Sequence, residues 1–209
     1  MELGRHKDAA ESFDHCLRIQ KKNYGDEHEA IAQTLISLGY AHAGWETFGD
    51  SKACYTQAIS VLKQCYGDYV DVGKCWLKIA EIYVKEKRED QALRCYEQSL
   101  TILKSIETCD DYAWNVNQGT GECLLYLKRP QEAMAYLNNA FALASKIKDI
   151  NKVSDSQLMI ALAQFQNGEE KLALENSREA ISFKILVLGD GDAFQSIFSA
   201  IDAALKFCK

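Results

Sequence analysis

The chain has 209 residues, 47% of them apolar, and 24 Lys plus Arg against 30 Asp plus Glu give a formal net charge of −6. That length holds one domain or two small ones, and that apolar share builds a packed core, which excludes a disordered tail or a peptide held together by disulfides. A single Pro beside 12 Gly, with abundant Ala, Leu, Glu, Lys and Gln, predicts an all-helical chain.

Ten helices are expected in chain order: about 6–23, 28–44, 48–65, 70–86, 89–106, 110–127, 130–147, 152–167, 170–187 and 192–208. The spacing behind them repeats. Leu17 to Asp26 matches Ile59 to Asp68, and Leu188-Gly189-Asp190 closes a third copy. A small residue, a bulky one four positions on and a small one seven positions on recur as Ala9, Phe13, Cys16; Ser51, Tyr55, Ala58; Ala92, Tyr96, Ser99; Ala133, Leu137, Ala140; and Ala173, Ser177, Ala180. A second phase of the same period holds Leu38-Gly39, Ile79-Ala80, Thr120-Gly121 and Ile160-Ala161. Each period therefore contains two helices, and small residues at matched places let an antiparallel pair approach closely. Pro130 falls at the start of a helix, where its missing N–H costs nothing, and Asn167-Gly168 marks a turn.

Trp76-x2-Ile79-Ala80-x2-Tyr83, followed by Ala92-x3-Tyr96-x2-Ser99, resembles the tetratricopeptide repeat. The period of 40 to 42 residues exceeds the usual one by about two helical turns, as in kinesin light chain-type arrays, which often carry a connection like Tyr24-Gly25-Asp26. Departures are visible: no proline ends a repeat, Ser177 replaces the bulky residue, and the connections near Thr108 and Asp149 lack glycine. The resemblance implies a right-handed α-solenoid of antiparallel helix pairs over residues 1–209. Its units are 1–27 (a second-type helix alone), 28–69, 70–109, 110–150 and 151–190, with 191–209 as a terminal helix that caps the stack. Because the first-type partner of the opening helix is missing, the sequence reads as a piece of a longer protein.

Catalysis needs convergent polar groups, and none are evident. His lies only at 6, 15, 28 and 42, and the eight Cys are scattered with no CxxC, so no catalytic residue, metal site or cofactor is expected. His15 and Cys16 point about 100° apart on a helix, which makes a packed thiol beside a surface imidazole the expectation. With no secretory start, the cysteines read as reduced thiols and the chain as cytoplasmic. The longest uncharged runs, 133–145 and 156–168, contain Asn or Gln and cannot span a bilayer. Negative charge, and a basic patch at Lys85 to Arg88 broken by Glu86, argue against nucleic acid.

Function is then expected from surface shape: the first-type helices line a concave groove that takes a segment of a partner protein. Side chains turned into it are Gln33 and Tyr40; Lys74, Lys78, Glu81 and Lys85, with Leu77 and Val84; Asn115, Gln118, Glu122 and Tyr126; then Leu162 and Phe165, with Leu158 and Met159. The last four form an apolar face that either anchors a partner or is covered by the closing helix. Lys74 and Lys78 resemble the paired basic residues with which tetratricopeptide co-chaperones grip a terminal carboxylate. That clamp is incomplete, because Ser37 stands where asparagine is expected. An adaptor or scaffold, monomeric or weakly dimeric, is the leading reading. Alternatives are an assembly or autoinhibitory domain whose groove is filled by its own chain or a second copy, and a regulatory domain attached to an enzyme.

Overall fold

A computed structural model describes residues 2–67, 69–105 and 110–185. They form nine helices among the described residues: α1 (Glu2–Tyr24), α2 (Glu29–Gly44), α3 (Phe48–Tyr66), α4 (Val70–Lys85), α5 (Glu89–Ser105), α6 (Asp110–Tyr126), α7 (Pro130–Ile147), α8 (Ile150–Gln166) and α9 (170–185). No strand occurs among the described residues, and the expected helix at 192–208 lies outside them. The helices fall into two compact units that divide between residues 107 and 108. In the first, α1 to α5 pack in chain order; in the second, α6 packs on α7, α7 on α8, and α6 also touches α8.

The two helices of a hairpin meet where a small residue faces a bulky one. A methyl group added to Gly39 would meet the Tyr55 ring at 3.0 Å, and one added to Gly121 would meet Leu137 Cδ2 at 2.5 Å. Both partners are buried, so the added carbon would have to displace a packed side chain. Hydroxyls reinforce the seams: Ser51 donates to the Gly39 carbonyl at 2.6 Å, Ser99 to Gly73 at 3.0 Å and Ser154 to Ala180 at 2.8 Å.

Four hairpin turns share one backbone solution. After α2, the N–H of Glu46 donates to Ala43 and that of Thr47 to His42; the same pair of bonds recurs at Lys87 and Arg88, Lys128 and Arg129, and Gly168 and Glu169. This is the Schellman helix ending, which needs a left-handed residue just past the helix. Only one copy has glycine there; Glu46 (φ 63°), Lys87 (φ 57°) and Lys128 (φ 57°) adopt the conformation with a side chain, as does Lys148 (φ 59°) between α7 and α8. The turn near Asp149, which lacks glycine, therefore closes in the same way.

The slot of Cys16 departs from expectation. Its counterparts Ala58, Ser99, Ala140 and Ala180 are wholly buried, but Cys16 is exposed, and α1 buries Ala10 and Leu17 instead. In the other repeats that slot faces the first-type helix of its own hairpin, whereas α1 packs on α2, the helix that follows it. With α2 as the main support, the buried face of α1 is rotated by about one residue, or 100°.

Lys87→Gly should stabilise the first unit by up to about 1 kcal/mol, because glycine takes the left-handed conformation without the Cβ clash. Urea unfolding followed by circular dichroism checks this. Gly121→Ala should lower the stability of the second unit by about 1–3 kcal/mol in the same assay, through displacement of Leu137.

Candidate groove of the first unit and polar face of the second

In the first unit, α2 and α4 present their open sides together, with α1 and α3 behind them. They enclose a hollow of about 440 Å³ whose walls are Phe13 from α1, Ile36 and Tyr40 from α2, Tyr55 from α3 and Cys75 from α4. Gln33, Ser37, Asp71, Lys74 and Lys78 complete the lining. A second hollow of about 180 Å³ shares Tyr40, Tyr55 and Lys78 with the first and adds His6, Glu81 and Lys85. Six residues expected in the groove, Gln33, Tyr40, Lys74, Lys78, Glu81 and Lys85, thus border two adjoining hollows of one unit. Leu77, expected beside them, is buried instead.

The polar lining is pre-arranged. Lys74 Nζ lies 3.0 Å from Asp71, and Lys78 Nζ contacts both Glu81 carboxylate oxygens at 3.1 and 2.8 Å. These pairs are partly exposed and contribute little to folding, about 0–1 kcal/mol each, so the ammonium groups remain available to a ligand. Tyr40 is largely exposed and meets the His6 ring edge-on at 6.4 Å, while His6 packs against Gly44.

Phe13, Tyr55 and Cys75 were not foreseen here. The repeat pattern assigns Phe13 and Tyr55 to the helix seam, which is where Tyr55 packs, and nothing in the pattern marks a seam residue as also forming a groove floor. Cys75 has its thiol pushed up to about 12 by burial, and Cys54 and Cys95 are likewise raised to about 11, so these three are packing groups rather than nucleophiles.

The open side of the second unit has a different character. Gln118, expected in the groove, is 5% exposed, and Leu162 is 7% exposed. The contact of α6 with α8 covers Gln118, whose Oε1 accepts from the Ser156 hydroxyl at 3.0 Å, while Ser156 accepts from Trp114 Nε1–H at 2.9 Å. Gln118 Nε2–H in turn donates to Glu122 Oε1 at 2.9 Å. Glu122 is half-buried. Burial raises its carboxyl above the ordinary value, the Gln118 bond lowers it, and the nearby charge of Asp155 raises it again, for a net upward shift. Asp155 itself is paired with the buried Lys184 at 2.6 Å. Asn115 is half-buried and donates to the Asp111 carbonyl, Tyr126 lies at the surface, and Phe165 is 49% exposed. Leu158 and Met159 are half-buried, and the helix expected to cover them lies outside the described residues.

Residues 1–64 and 73–102 each match a family model of the tetratricopeptide repeat. The solved structure of a kinesin light chain-type protein of Podospora anserina with nearly identical TPR-like repeats superposes with a TM-score of 0.73 at 17% identity, covering 90% of both chains. Both matched segments of this chain are tetratricopeptide repeats. Its described hairpins have the fold of TPR-like α-solenoids and resemble the kinesin light chain-type arrays. YrrB, a TPR protein with an unusual peptide-binding site, superposes at a TM-score of 0.62 with 16% identity, over 95% of this chain and 90% of its own. The alpha-soluble NSF attachment protein of Vitis vinifera is 26% identical over 119 residues, 49% of this chain and 41% of that relative. The chain thus spans less than half the length of the curated relative it matches. Among the described residues no helix is long and apolar enough to cross a membrane, and no group of three His, Cys, Asp or Glu is set to hold a metal ion.

The raised carboxyl of Glu122 gives a pH prediction with a definite sign. A carboxyl whose folded value lies above its unfolded value takes up its proton more readily in the folded state, so stability falls as pH rises from the ordinary carboxylate range through the folded value. Glu122→Gln keeps the acceptor for Gln118 and removes the charge. The variant should unfold at higher temperature than the wild type at neutral pH, and the difference should vanish below the ordinary carboxylate range, as read by calorimetry across pH.

Proposed function

We propose that the chain is a protein-interaction module that binds a segment of a partner protein in the groove of its first unit and carries no chemistry of its own. One observation carries the reading: in-register side chains of α2 and α4 close over an apolar floor and put Lys74, Lys78 and Lys85 at its rim against Asp71 and Glu81. On a chain of net charge −6, that local excess of ammonium groups favours a segment with carboxylates beside an apolar anchor. The likeness of fold to YrrB supports the reading, since that protein is described by its peptide-binding site.

Reversing both charges with Lys74→Glu and Lys78→Glu tests it. On an array of acidic peptides the wild type should give hits that weaken with salt, and the double variant should lose at least about tenfold in affinity together with most of the salt dependence. Circular dichroism of the variant checks that the fold survives. Hits of unchanged strength remove these lysines from the site, and an array without hits for the wild type removes the peptide reading.

A further inference from the structure

Tyr55 occupies the bulky slot of the second-type helix α3 and is 2% exposed, yet it lines both hollows of the groove. No described residue hydrogen-bonds its hydroxyl, and that oxygen is not among the fully enclosed unpartnered atoms, so it is left partly open in a residue that borders both hollows. A phenol that is buried as a whole and has no partner for its hydroxyl therefore has one polar atom to offer to whatever enters. Around it the walls are Phe13, Ile36 and Cys75. An ion pushed between these apolar walls would lose its water, whereas the ammonium groups of Lys74 and Lys78 belong to the polar lining of the hollow. The occupant that suits such a floor is uncharged, apolar along its body and able to hydrogen-bond at its tip. A purely apolar side chain of the same shape would strip the hydroxyl of water and return nothing, which is the arrangement by which a site rejects an analogue that lacks a polar group.

We propose that the Tyr55 hydroxyl is the selective contact at the floor of this groove, so that the hollow admits a ligand side chain with an apolar body and a hydrogen-bonding tip over its apolar isostere. The proposal rests on the groove reading above. Tyr55→Phe is the matched variant: it removes an oxygen that no described residue bonds and leaves the ring against Gly39.

The probes are p-cresol and toluene, which differ by one hydroxyl, titrated into the full 209-residue chain and its Tyr55→Phe variant with amide shifts of Tyr40, Lys74 and Lys78 as the readout. The ratio of p-cresol to toluene affinity should fall about threefold to tenfold in the variant, the worth of one neutral hydrogen bond. An unchanged ratio, or no shift with either probe, overturns the role of Tyr55. Should the ratio stay unchanged while peptides still bind through Lys74 and Lys78, the peptide reading survives alone. A ratio that falls in a protein that binds no peptide upholds the floor contact and ends the peptide reading.

Discussion

The close approach of the two helices in each hairpin is the constraint on which the other features depend. It is set by a pair of positions sixteen residues apart: Gly39 and Tyr55, Ala80 and Tyr96, Gly121 and Leu137, Ala161 and Ser177. Where the small member is glycine, one more carbon would press on the bulky member, at 3.0 Å for Gly39 and 2.5 Å for Gly121. Backbones held this close align the first-type helices side by side within a unit, and it is that alignment, not any loop, that brings residues of α2 and α4 to one surface. Burying the bulky members also supplies much of the apolar area that offsets the entropy of ordering the chain.

The two units use the same frame for different interiors. In the first, the seam and its surroundings are Leu35, Tyr55, Leu62, Trp76 and Tyr96, and the open side keeps hollows between large side chains. In the second, matched positions hold Asn117, Leu137, Ala144, Gln157 and Ser177, and the buried set includes Gln118, Thr120, Ser154, Ser156 and Lys184. Polar groups so enclosed need partners, and they find them through the chain from Trp114 to Glu122, through Gln157 Nε2 to Glu179 and through Lys184 to Asp155, while Gln157 Oε1 is enclosed with no hydrogen bond. The first unit spends its open side on a ligand-sized space, and the second spends its own on satisfying itself.

Much of this was legible before any coordinates. Helix order, the helix pairs and the turn at Gly168 follow from a period that is dictated by packing. Six residues that counting around a helix turned outward border the hollows of the first unit. The same counting failed for Leu77, Gln118 and Leu162, because a helical wheel tells which way a side chain leaves its own helix but not whether the next helix stands in front of it. It failed for Cys16 in the opposite sense: the slot matches those of the other repeats, but α1 packs through Ala10 and Leu17 and leaves Cys16 exposed.

The residue sequence by itself determined the repeat, the helix pairs and the small-against-bulky seam, since these depend on spacings within about forty residues and on volumes that any reader can tabulate. Only the tertiary structure decided which open positions stay open, which lysines already hold carboxylates, and that Tyr55 is at once a seam residue and a groove floor. Those are matters of distance between helices that the sequence does not place side by side, where a shift of an ångström or two separates a covered side chain from an offered one.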